Sequence, residues 1–142
     1  MKFTTYLLAL LSTLALIETA KADTRLTMGG GVYHLSGDRD ELNEANYFLG
    51  MSHGPAFGAT FVNSLGDRSF AGGAVVRSDH PVELSAYIGG VTGYDNPDWL
   101  PCLHVDLCLF AAPSVSWWVR DGVAVTGVLF GDAALYGITV SW

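Results

Sequence analysis

Apolar and polar or small residues alternate along most of the chain beyond residue 22, the period of two expected of a β-strand with two unlike faces. Ala134, Tyr136, Ile138, Val140 and Trp142 share one face of the last segment; Gly137, Thr139 and Ser141 share the other. Val123, Val125, Gly127 and Leu129 alternate in the same way with Ala124, Thr126 and Val128, and Phe57, Ala59 and Phe61 with Gly58, Thr60 and Val62. Turn-forming clusters separate the runs: Ser36-Gly37-Asp38, His53-Gly54-Pro55, Leu65-Gly66-Asp67, Asp79-His80-Pro81, Asp95-Asn96-Pro97, Arg120-Asp121-Gly122 and Gly131-Asp132. Eight strand segments result, at about 24–35, 45–53, 55–64, 69–78, 82–93, 103–119, 122–130 and 133–142.

The first residues follow another pattern. Lys2 precedes the apolar run Leu7 to Leu11 and Leu14 to Ile17, and Ala20-Lys21-Ala22 closes it with small residues where a signal peptidase cuts. The run is short for a membrane anchor, so 1–22 is expected to be a signal peptide. Residues 23–142 then form a single exported domain without Lys. It holds no second apolar run of about 18 residues, the length a spanning helix needs.

Composition narrows the choice. The 142 residues are 50% hydrophobic and only 15% charged, with 17 Gly and a net charge of -7. The apolar fraction excludes a disordered chain, and an acidic balance without a basic patch argues against nucleic acid as partner. A secreted sandwich would alternate too. Three features favour a barrel instead: an aromatic residue closing the last strand-like segment, Trp117 and Trp142 at strand ends like an interfacial girdle, and too few charges to clothe a soluble surface. The expected fold is all-β, an eight-stranded antiparallel transmembrane β-barrel of the bacterial outer membrane, monomeric. With the N-terminal end periplasmic, turns near 54, 80 and 121 fall inside the cell envelope. Connections near 36–44, 65–68, 94–101 and 131–132 fall outside.

Segment 103–119 is too long for one crossing of about 9–11 residues, so its first part is expected to project beyond the membrane. Pro113 lacks an N–H and should interrupt the ladder, either as a tolerated defect or as a lateral opening. Cys102 and Cys108 are the only cysteines. In one extended strand they would lie about 20 Å apart, too far to bridge. Either the stretch folds back around a small disulfide, or both thiols stay free. With His104 and Asp106 they make a poor metal set, and neither metal nor cofactor is expected.

Four polar groups fall near the outer rim: His34, Asn63, Ser64 and His104. A His able to take a proton beside a Ser hydroxyl is the least that acyl transfer requires, although polar residues at strand ends ordinarily just face water.

In order along the chain stand Tyr33-His34, Asn43-Glu44, Gly50, Phe61-Val62-Asn63-Ser64, Ala71-Gly72-Gly73, Ile88-Gly89-Gly90-Val91-Thr92, Asp95-Asn96-Pro97-Asp98-Trp99 with Pro101, and Ser141-Trp142. This order resembles that of the outer-membrane lipid A palmitoyltransferases of the PagP type. The resemblance implies an eight-stranded barrel that moves an acyl chain from a phospholipid donor to a lipid A acceptor. Carried over position by position, His34 and Ser64 match the family's catalytic His and Ser. Asn63 stands where the family has Asp, and an amide orients a partner but is no base. The first outer loop is shorter, and the family's amphipathic helix before the barrel is missing. Pro113 looks similar to the strand-interrupting prolines, a candidate lateral gate.

The resulting expectation is an acyltransferase with His34 and Ser64 catalytic, Asn63 supporting, and Gly58, Gly72, Ala74 and Gly89 lining an acyl pocket. It carries a condition. His34 has the parity of Leu26, Met28 and Val32, on the lipid side, whereas Ser64 has the parity of Gly58 and Thr60, taken as lumenal. A bulge within Gly29-Gly30-Gly31 is needed to turn His34 inward. The rival expectation is a small barrel without catalytic groups that alters the cell surface by occupancy, as prophage-encoded ones do. Lipid A deacylation fits less well, since no late His-Ser pair exists.

Overall fold

A computed structural model describes residues 23–35, 45–95, 98, 100–103 and 106–142. The leader expected over 1–22 lies outside the described residues, as do residues 36–44, with Asn43-Glu44, and His104. The strands are β1 (Thr24–His34), β2 (Phe48–His53), β3 (Ala56–Val62), β4 (Arg68–Arg77), β5 (Val82–Val91), β6 (Cys108–Arg120), β7 (Val123–Phe130) and β8 (Ala133–Ser141). Each pairs antiparallel with the next and β8 pairs with β1, so the sheet closes into a barrel. The turns at Gly54, 78–81 and Asp121-Gly122 lie at one end, here the turn end. The longer connections and the Gly131-Asp132 turn lie at the other, the loop end.

Seven of the eight segments expected from the sequence match a strand closely in position. The sixth differs. Its strand begins only at Cys108, because residues 101–103 pair back on 107–109: Leu103 N–H donates to Leu107 O (2.8 Å) and Leu109 N–H to Pro101 O (2.9 Å). The fold-back brings Cys102 and Cys108 into a disulfide, one of the two outcomes the spacing left open.

Closure assigns every strand an inner and an outer face. Outward positions are largely apolar and exposed, among them Met28, Met51, Phe70, Leu84, Val115, Val125 and Ile138. Charged residues and His occupy outward positions only at strand ends, at His53, Arg68 and Arg120. Two irregularities break the alternation, one between Gly29 and Gly31 against β8 and one between Trp118 and Arg120 against β7. The first inserts one residue into β1. Thr27 faces the lumen below it; above it Val32 and His34 do, paired with Leu135 and Ala133. The phase shift that His34 required is therefore present.

The lumen is filled differently at its two ends. Toward the turn end Arg25 Nη1 donates to both oxygens of Glu83 (2.7 Å each), and its Nε to Asp23. Arg77 bonds Ser52 Oγ (2.6 Å) and the Gly54 carbonyl (2.8 Å), and the Arg25 guanidinium lies 5.1 Å over the Trp118 ring. Above this cluster a chain of hydroxyls crosses four strands, from Thr27 to Thr139 (2.8 Å), Thr126 (2.7 Å) and Ser116 (2.9 Å). Buried polar groups are tolerable when so paired. Toward the loop end the filling is aromatic.

Candidate functional site

Phe57, Ala59 and Phe61 of β3 point inward, together with Phe48, Tyr87, Phe110 and Phe130, and leave between them an apolar cavity of about 110 Å³. The rings meet edge to face, Phe57 with Tyr87 at 5.0 Å and Phe110 with Phe130 at 5.3 Å between centroids, the geometry their quadrupoles favour. Phe48 lies over Gly29 and Gly137, where a methyl on Gly137 would stand 2.3 Å from the Met28 carbonyl oxygen. These two glycines let β1 and β8 approach beneath a ring. Above the cavity Val91, Tyr94, Leu100 and Cys108 are buried together, with Phe61, Phe110 and Phe130 packed against them. The disulfide hairpin thus caps the lumen. Burial there pushes the Tyr94 phenol up to about 12.

The wall beside the cavity is broken in two places. β6 pairs with β7 only from Ser114↔Val128 to Arg120↔Val123, although β6 continues to Cys108 and β7 to Phe130. Pro113 is the first unpaired position on that side, while on its other side it still pairs with Ala86 of β5. The break matches its missing N–H. β1 pairs with β2 only as far as Gly29↔Phe48, while its upper part through His34 pairs with β8 alone. The first break borders the cavity, which Ala112, Val128 and Phe130 help to line; the second lies at Phe48.

His34 ends the inner face of β1 with a relative exposure of 1%, and neither ring nitrogen has a hydrogen-bond partner among the described residues. Among the described residues Asp132, in the β7–β8 turn, forms an ionic contact with it, with Nδ1 and Oδ1 3.8 Å apart. Asn63 is also 1% exposed, but its amide is fully engaged. Nδ2 donates to Gly93 O (2.7 Å) and Ser69 Oγ (3.2 Å), and Oδ1 accepts from Leu65 N–H (3.0 Å) and Asp67 N–H (2.9 Å). It is the Asx cap of the β3–β4 turn and has no capacity left to steady a substrate or His34.

Several expectations need correction. The lumenal face of β3 is that of Phe57, Ala59, Phe61 and Asn63, so Thr60 and Gly58 have the outward phase, and Ser64 follows Asn63 into the turn, partly exposed. Gly58 still borders the cavity, although it pairs with exposed Met51 and Gly72. Gly72 and Ala74 lie outward and exposed on β4, since Ala71 and Val75 take the inner positions. Gly89 is on the inner face, opposite Gly73 and Phe110, at a close strand approach away from the cavity lining. On β3 the error has one cause. The rule of greasy outside and small inside fails where the lumen itself is packed with phenylalanine. Sequence reasoning also passed over Arg25, Arg77 and Glu83, although each is a lone charge on an otherwise uncharged strand face, and it passed over Asp132.

No family model matches the sequence, and searches of curated proteins and of solved structures return no similar protein.

Proposed function

We propose that this chain is a barrel of the bacterial outer membrane that admits a lipid acyl chain into its lumen and transfers it from a phospholipid to lipid A. The observation that carries the reading is the apolar cavity bordering the place where β6 and β7 part at Pro113. A cavity capped above, with the hydroxyl chain and then the ion pairs below it, has its route for hydrocarbon through the wall. The outer surface supports a membrane setting: an apolar band with charges confined to strand ends, and Trp117 and Trp142 exposed near the turn end. Moving a chain from lipid tails into such a lumen exchanges one hydrocarbon environment for another, so entry is close to neutral and release stays possible. An apolar cavity of about 150 Å³ holds benzene. The present volume therefore takes the end of a chain, the remainder lying along the break.

In this reading His34 is the general base. Its imidazole takes the proton from a lipid A hydroxyl as that oxygen attacks the ester carbonyl, and returns it to the departing lysophospholipid oxygen. Ser64 has no bond to His34 and Asn63 is committed to its turn, so neither takes part. That same separation favours the second reading, a barrel without catalysis that acts by occupying the surface.

Mass spectrometry of lipid A from cells with and without the protein decides between them. Added acyl mass, lost in His34→Ala and kept in Ser64→Ala, is the expected result. An unchanged lipid A profile in cells producing the folded barrel overturns acyl transfer and leaves the occupancy reading.

A further inference from the structure

The imidazole of His34 lies buried at the end of a strand, its two nitrogens without a hydrogen-bond partner among the described residues, and the backbone around it is paired. His34 pairs in register with Ala133, and the next residue, Leu35, donates its N–H to the carbonyl of Asp132 (2.8 Å). Asp132 sits in the two-residue turn Gly131-Asp132, with Gly131 at a φ of 60°, the left-handed backbone that such hairpins demand. A tight turn tied to β1 leaves the Asp132 side chain little choice of position. Its side chain is 52% exposed and Oδ1 stands 3.8 Å from His34 Nδ1, longer than a hydrogen bond. Catalytic contacts are often loose before substrate binds.

We propose that Asp132 is the positioning carboxylate of His34. This rests on the acyl-transfer reading for its purpose, but the contact can be tested alone. By accepting a hydrogen bond from Nδ1–H, Asp132 holds the neutral ring in one tautomer and leaves Nε2, the opposite corner, as the basic nitrogen. It also stabilises the imidazolium formed when Nε2 takes a proton. The carboxylate reaches His34 from the strand paired with β1, through the β7–β8 hairpin.

The test uses the full barrel in detergent micelles, labelled with ¹⁵N-histidine, at about pH 9, where an ordinary imidazole is neutral. Long-range proton–nitrogen spectra report which ring nitrogen carries hydrogen, and His34→Gln identifies the His34 signals. The expected wild-type pattern has the proton on Nδ1. Asp132→Ala should move it to Nε2, the form a free imidazole prefers, and Asp132→Glu should restore the first pattern. A proton on Nε2 in the wild type, or a pattern indifferent to Asp132→Ala, overturns the proposal. Where lipid A transfer is measurable, Asp132→Ala should lower kcat at least about a hundredfold with little change in KM. A tautomer that responds to Asp132 in a barrel that leaves lipid A unaltered refutes acyl transfer while upholding the positioning.

Discussion

Replacing Glu83 with Ala removes the carboxylate around which the charged end of the lumen is built. Glu83 accepts both short bonds from Arg25 Nη1 and a third from Ser85 Oγ (3.1 Å), and it stands 3.9 Å from Arg77 Nε. The Arg25, Arg77 and Glu83 side chains are only 14%, 7% and 8% exposed, so water does not replace what is lost. Breaking a buried ion pair by deleting one partner costs about 3–5 kcal/mol, because the surviving charge stays desolvated. Asp23 still binds Arg25, which places the expected loss near the lower bound, about 3 kcal/mol, or roughly a hundredfold in the unfolding equilibrium. Equilibrium denaturant unfolding of the barrel in lipid vesicles, followed by tryptophan fluorescence, measures this as a lower midpoint at unchanged slope. Removing both charges, Arg25→Met with Glu83→Leu, should recover part of the loss, since an apolar replacement of a buried pair is close to neutral while Arg77 keeps only its neutral partners Ser52 and the Gly54 carbonyl. A Glu83→Ala loss below about 1 kcal/mol, or a double variant no better than the single one, would refute the view that uncompensated burial governs this cluster.

Two further outcomes follow from the packing. Gly137→Ala would place its methyl 2.3 Å from the Met28 carbonyl and 2.8 Å from the Phe48 ring, and backbone cannot yield as a side chain can; a stability loss of about 1–3 kcal/mol by the same unfolding assay is expected, against little for Gly58→Ala, whose nearest neighbour is 4.0 Å away. Reducing the Cys102–Cys108 disulfide, which closes a loop of separation 6, should cost about 2 kcal/mol by loop entropy and loosen the hairpin cap, seen as faster amide hydrogen exchange over residues 100–103.

The alternation of Tyr136, Ile138 and Val140 with Gly137 and Thr139 reads directly as a two-faced strand, and β8 runs from Ala133 to Ser141 with those faces outward and inward. Gly131-Asp132 reads as a hairpin because only a few residues accept its backbone, and Pro113 reads as a break because it has no N–H to give. Such features are local, so strand number, strand direction and turn position are all present in the chain itself. His34 was legible as a candidate only subject to a bulge, and the Gly29-Gly30-Gly31 run supplies one without announcing its place. β3 was legible as a strand, but its phase was not: Phe57, Ala59 and Phe61 are as suited to a lipid face as to an aromatic lumen.

A period of two says that a strand has two faces and is silent on which is inside when both are apolar. Closure of the barrel makes that choice, because the lumen must be filled and the rings of Phe57 and Phe61 meet Tyr87 and Phe130 there. Closure also makes the meetings that sequence distance hides, Arg25 with Glu83 and His34 with Asp132, since such contacts depend on the register of every strand between them and on one extra residue in β1.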